Sequence, residues 1–241
     1  ATESGFRVID GDAMADTLVV AGTRQQRPWL IAASIESDLA LLSSLNRLPV
    51  KVTSIETAVG DRWISHALRA SLELDSQMPR MLGVEDSGHV VLPSPHPHSE
   101  RKWSLVGDGS ATLVAYLLAR SVAEKELLMM RGWKQRVSVQ NVHRELWNGV
   151  NDLSDEIENI ARSHFEQCGE ITQWNRHGLE GEENLMLIEA LLDGEPLSLG
   201  IRNSGTQAKI NISLRLSPAL KHESLASVMP VLASHLAESM R

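Results

Sequence analysis

The run RPWLIAAS at residues 27–34 constrains the fold more than any other part of the chain. It is apolar without a break and ends in small residues, lacking the in-out alternation of a half-solvated strand, so it reads as a strand buried on both faces. Such a strand needs a layer of structure on each side. Helix-like segments flank it: DAMADTLVV (12–20), where Asp12 is placed to cap a helix, and DLALLSSLN (38–46). LPVKVTSIET (48–57) is a second strand introduced by a proline, and VGDRWISHALRASLE (59–73) a turn and helix. PRMLGVEDSGHVVLP (79–93) reads as two short strands around a glycine turn, and GDGSATLVAYLLARSVAEKELLMM (107–130) as the longest helix. Strands alternating with helices predict an α/β domain with a mixed, largely parallel sheet and helices on both faces.

The pattern changes after RGWKQRVSV (131–139). DLSDEIENIARSHFEQCG (152–169) is an acidic surface helix, and NLMLIEALL (184–192), EPLSLGIR (195–202) and AKINISLRLS (208–217) are strands, with LDGEP a tight turn between the first two. HESLASVMPVLASHLAESM (222–240) is a closing helix that Pro230 kinks or divides. The prediction is an α+β C-terminal domain with an antiparallel sheet, over residues 136–241, following an α/β domain over residues 1–135.

Composition narrows the function. A net charge of −8 with no long basic block excludes nucleic acid and anionic membranes as natural partners. The single cysteine, Cys168, allows no internal disulfide, and the acids beside it in HFEQCGE make it a poor nucleophile, so it is read as structural. No apolar run reaches the length of a membrane span, and ATESGFRV lacks the plan of a signal peptide. The expected compartment is the cytoplasm.

Three glycine-punctuated polar loops carry the chemistry: AVGDRWI (58–64), GVEDSGH (83–89) and IRNSGTQAK (201–209). In the last, Arg202 offers a planar fork of donors, Ser204 and Thr206 add hydroxyls, and Gly205 lets backbone N–H groups converge on an anion. In the middle one, Glu85 can accept from two vicinal hydroxyls while Ser87 and His89 fix orientation. Taken singly, each also reads as an ordinary turn. A fourth stretch, VIDGDAMAD (8–16), sets Asp10, Asp12 and Asp16 close together, as an oxygen cage for a divalent cation would. PSPHPHSE (93–100) reads as a surface loop whose His96 and His98 are too few to make a metal site.

In this order the loops resemble the C-terminal half of the α-D-phosphohexomutase superfamily, enzymes that move phosphate between the C1 and C6 oxygens of hexoses. GVEDSGHVVLP is similar to the family's sugar loop, G-x-E-x-S-G-H before an apolar strand. RNSGTQAK is similar to its phosphate loop, R-x-S-G-T-E-x-K. AVGDRWISHAL and VGDGSATLVAYLLA resemble the turn and helix before the sugar loop and the T-G-D-G stretch of the third domain. The third-domain motifs lean toward phosphoglucosamine mutases, within a phosphoglucosamine- or phosphomannose-type family. The resemblance implies that Glu85, Ser87 and His89, with Ser34, Asp61 and Arg62, bind the sugar. It implies that Arg202, Asn203, Ser204, Gly205, Thr206 and Lys209 bind the phosphate. Gln207 and Asp86 depart from the usual residues and put specificity in question.

Two family elements are missing from the sequence: the T-x-S-H-N-P phosphoserine loop of the first domain and the D-x-D-x-D-R magnesium loop of the second. VIDGDAMAD imitates the latter and then places Met14 and Ala15 where aspartate and arginine belong. The resemblance matches it instead to the opening of the third domain. The expectation is a sugar- and phosphate-recognition half with no catalytic residue and no resident metal, magnesium arriving only with the missing second domain. Its partners are a hexose phosphate and, where one exists, a chain or segment carrying the missing domains. Alone it is expected to be inactive. The alternatives are a non-catalytic sugar-phosphate-binding or regulatory protein derived from that family, and an unrelated hydrolase using Asp10, Asp12 and Glu85.

Overall fold

The computed structural model describes residues 5, 8–71, 80–96, 98–204 and 207–241, with backbone alone at 99–102. The chain forms two compact units, Ala1–Ser37 with Leu41–Met130, and Asp38–Ala40 with Arg131–Arg241.

The first unit runs α1 (Gly11–Thr23), β1 (Trp29–Ser34), α2 (Leu39–Ser43), β2 (Val52–Thr57), α3 (Asp61–Ala70), β3 (Met81–Val84), β4 (Val90–His96), β5 (Ser99–Gly107) and α4 (Gly109–Val122). Its sheet has the order β2-β1-β3-β4-β5. β2 and β3 flank β1 in parallel, and β4 and β5 turn back antiparallel. Ile31, Ala32 and Ala33 are wholly buried, so the central strand is covered on both faces, as its apolar run predicts. α3 supplies one cover through Ile64 and Leu68, which pack with Ala32, Met81 and Val91. Gly83 makes that approach possible, since a Cβ there would lie 2.1 Å from Ile64 Cγ2. α1 buries Ala15, Val19 and Val20 and packs on β3 and α4.

Two first-unit expectations are corrected. PSPHPHSE, expected as a surface loop, gives residues 93–96 to β4 and residues 99 and 100 to β5. Pro93 and Pro95 are tolerated because β3 pairs with β4 only at Val90 and Val91, leaving the rest of β4 with β5 as its one ladder neighbour among the described residues. The long helix stops at Val122, where Ala123 turns extended. The following segment is tied back to α1 by the Met129 N–H, which donates to Asp16 Oδ2 at 2.9 Å.

The second unit runs β6 (Trp133–Gln140), α5 (Asp152–Glu166), β7 (Ile171–Leu179), β8 (Glu182–Leu192), β9 (Glu195–Asn203), β10 (Lys209–Leu216), α6 (His222–Leu225) and α7 (Val228–Ser239). The antiparallel sheet has the order β6-β10-β9-β8-β7. The division expected after residue 135 falls inside β6, which pairs along its length with β10, and the longer segment of the second unit runs from Arg131. Leu197, Leu199 and Ile201 of β9 and Ile210, Ile212 and Leu214 of β10 alternate inward onto Ile157, Ala161 and Phe165 of α5 and Leu232 and Leu236 of α7. The LDGEP turn has positive φ at both Asp193 (51°) and Gly194 (82°), the mirror-image geometry that two-residue hairpins favour. The closing helix divides at Ala226 and Ser227, and Pro230 sits in the first turn of α7, where its missing N–H has no helical partner to lose.

Candidate functional site

The first unit builds its site from three chain segments that end at one place. β3 delivers Glu85, which is 8% exposed, and the loop then closes on itself. Glu85 N–H donates to His89 O at 2.9 Å and Gly88 N–H to Glu85 O at 3.1 Å, with Gly88 at φ +101°. The loop rests on the start of α1. Gly11 N–H donates to Asp86 O at 3.0 Å, and a Cβ on Gly11 would lie 1.8 Å from Glu85 O. Only glycine permits that approach.

The Glu85 carboxylate divides its oxygens. Oε1 accepts from Gly60 N–H at 2.5 Å, across the AVGD turn in which Gly60 takes φ +120°. Oε2 accepts from Ser87 Oγ at 3.3 Å and lies 3.6 Å from His89 Nδ1. That nitrogen is also 3.4 Å from Asp61 Oδ1, at the first position of α3. Asp61 and His89 border a cleft of about 210 Å³, completed by Gly107, Asp108 and Thr112 among others. Asp108 caps α4, its Oδ1 accepting from Ser110 N–H at 2.8 Å and Ala111 N–H at 3.0 Å. A Cβ at Gly107 would lie 3.1 Å from Asp61 Oδ2, so glycine keeps that side of the carboxylate open.

Of the six residues assigned to the sugar, the structure gathers Asp61, Glu85, Ser87 and His89. Arg62 instead lays its guanidinium over the Trp63 ring, 4.9 Å from the centroid. Ser34 ends β1, one residue past the Ala33–Val84 pair, with its hydroxyl buried and without a hydrogen-bond partner among the described residues. Sequence reasoning singled out VGDGSATLVAYLLA but did not assign Gly107, Asp108 and Thr112 to a site, although the Asp-Gly-Ser cap before a helical run marks that helix start.

In the second unit the phosphate-loop residues lie at the β9–β10 connection. Gly205 and Thr206 fall outside the described residues. Ser204 N–H donates to Lys209 O at 3.0 Å, and the Ser204 hydroxyl accepts from Gln207 N–H at 3.3 Å. Arg202 lies on β9 with Nη1 3.5 Å from Glu182 Oε2 of β8. Asn203 is occupied structurally, its Nδ2 donating to Arg144 O at 2.7 Å and to Trp147 O at 2.8 Å. Arg144 returns the contact, Nη1 donating to Ser204 O at 2.8 Å. No sequence pattern marks Arg144, because only the folded chain brings it to the loop.

VIDGDAMAD does not form a cation cage. Asp10, not Asp12, is the N-cap of α1, accepting from Ala13 N–H at 2.9 Å. Asp12 is buried in the first turn, and Asp16 accepts from Arg47 and from Met129 N–H. Burial lowers the Arg47 pKa, and Asp16 pulls it back up. With Asp10 and Asp16 committed to backbone and arginine, this stretch does not fit the family's magnesium loop. Among the described residues, no helix is long and apolar enough to cross a membrane.

Residues 10–135 match the phosphoglucomutase/phosphomannomutase family, alpha/beta/alpha domain III. The chain is similar to a phosphoglucosamine mutase of Mycolicibacterium gilvum, at 34% identity over 46% of this chain and 22% of that protein. It is also similar to one from Kineococcus radiotolerans, at 28% identity over 67% of this chain and 35% of that one. It thus spans about a third or less of these relatives' length. Among solved structures it resembles the N-acetylphosphoglucosamine mutase of Aspergillus fumigatus, with a TM-score of 0.60 at 14% identity over 99% of this chain and 45% of that one. A phosphoglucomutase/phosphomannomutase family protein of Burkholderia thailandensis gives 0.54 at 13% identity over 97% of this chain and 42% of that one. At these identities the structural likeness concerns the fold alone.

Proposed function

Because the chain belongs to the phosphoglucomutase/phosphomannomutase family, we propose that it recognises a hexose phosphate, the first unit holding sugar hydroxyls and the second holding phosphate. The observation that carries the reading is the Glu85 carboxylate, 8% exposed and held by Gly60 N–H, with Ser87 and His89 beside its second oxygen. A buried, oriented carboxylate is an acceptor for two vicinal hydroxyls, and its ordering is established before the sugar arrives.

In the second unit, Arg202, Lys209 and the Ser204 hydroxyl provide cationic and O–H donors suited to a phosphate dianion. The proposed substrates are glucosamine or mannose phosphates, interconverted between the 6- and 1-phosphates in an isomerase reaction. The phosphoserine and magnesium that this transfer needs are placed on a segment or partner chain carrying the first two domains. The single cysteine, Cys168, supports a reducing, cytoplasmic setting.

Isothermal titration with glucosamine 6-phosphate, mannose 6-phosphate and glucose 6-phosphate tests this. One of them is expected to bind, and Arg202→Ala to weaken it about tenfold or more, the worth of a charged hydrogen bond, with the circular dichroism spectrum intact. Equal affinity in the variant would remove the phosphate assignment.

A further inference from the structure

We propose that Asp61, Glu85 and His89 form a binding site for a zinc-class divalent cation, and that the ion, when bound, excludes the sugar. The exclusion rests on Glu85 being the sugar acceptor; the cation site does not.

The three donors come from the start of α3, the end of β3 and the residue before β4, and they lie within 4.8 Å of one another. His89 Nδ1 stands 3.4 Å from Asp61 Oδ1 and 3.6 Å from Glu85 Oε2. Donors around a tetrahedral ion with bonds of about 2.1 Å are roughly 3.4 Å apart, so the imidazole already sits at ligand spacing from both carboxylates. The third edge closes by movement of Asp61, whose side chain is 47% exposed.

The surroundings fit an ion as well. Gly60 N–H on Glu85 Oε1 fixes the carboxylate plane and leaves Oε2 turned to the other donors, the outer support that metal ligands commonly have. Asp108 borders the same cleft, but its Oδ1 is committed to Ser110 and Ala111 N–H, and it lies outside the three-donor group. The remaining coordination position faces the cleft lined by Gly107 and Thr112 and is open to water. One imidazole and two carboxylates favour zinc over magnesium, which prefers oxygen donors in an octahedron.

The competing description is a polar cluster of His89 with two carboxylates and without affinity for metal. Titration of the protein with zinc chloride, followed by hexose phosphate with and without zinc, separates the two. One equivalent of zinc is expected to bind, at least about tenfold more weakly in His89→Ala and in Asp61→Asn, and unchanged in the His96→Ala/His98→Ala double variant. Hexose-phosphate affinity is expected to fall in zinc. No zinc heat, or heat lost only in the His96→Ala/His98→Ala variant, overturns the site. Zinc bound at His89 with hexose-phosphate affinity unchanged overturns the exclusion. Zinc binding lost in His89→Ala, with no hexose phosphate bound even without zinc, supports the cation site and removes the sugar reading instead.

Discussion

Gly60 N–H donates to Glu85 Oε1 at 2.5 Å, so the turn that starts α3 and the loop that ends β3 share one carboxylate. Replacing Glu85 by alanine removes the acceptor and leaves a backbone N–H facing a hole. The expected cost is about 1–3 kcal/mol of folding free energy, read by urea denaturation, with loss of hexose-phosphate binding in titration. Full affinity in this variant would detach Glu85 from sugar recognition.

Gly11 touches the same loop from α1. Gly11→Ala forces a Cβ against the Glu85 carbonyl, 1.8 Å away in the present geometry, so loop or helix must move. Overpacking of this kind costs roughly 1–3 kcal/mol, and a thermal-unfolding midpoint below the parent's is expected. Hexose-phosphate affinity should fall although the residue carries no side chain.

Asp16 satisfies Arg47 and Met129 N–H from a nearly buried position, its side chain 5% exposed. Asp16→Ala leaves the largely buried Arg47 charge without its carboxylate, with only Leu127 O and Ser44 still accepting from it among the described residues, at a cost of about 3–5 kcal/mol. The Asp16→Ala/Arg47→Met double variant is expected to recover part of that in the same denaturation experiment. A single-variant loss under about 1 kcal/mol would mean that the pair behaves as an exposed one.

Asn203 spans Arg144 O and Trp147 O with one amide nitrogen. Asn203→Asp turns that donor into a third acceptor among carbonyls, and the second unit is expected to lose about 1–3 kcal/mol. Arg144→Ala is expected to loosen Ser204 and weaken phosphate-ester binding while sparing zinc titration in the first unit. Separate titrations with the two ligands check this.

What the sequence displayed and what it hid divide along physical lines. RPWLIAAS and the LDGEP turn were legible because a doubly buried strand and a primed turn each leave a composition that few other structures tolerate. β7 was hidden because ITQWNRHGL is mostly polar, and its burial alternates only weakly. The β4–β5 hairpin was hidden because prolines suggest loops, and their acceptance depends on which ladder neighbour is absent. In the first unit, glycine spacing marked the turns that bring Glu85, Ser87, His89 and Asp61 together. The resemblance placed Asn203 and Arg62 at the ligand by their motifs, which carry no sign of the Arg144 and Trp147 carbonyls or the Trp63 ring that their side chains meet.

Pro93 and Pro95 have the same parity on β4, so their missing N–H donors fall on one side of the strand, the side that β3 leaves unpaired beyond Val91 among the described residues. A bare strand side with a full set of donors would template pairing with a neighbouring molecule. Here the prolines interrupt it in two places, and the gap in the ladder is protected against edge-to-edge aggregation by its own sequence.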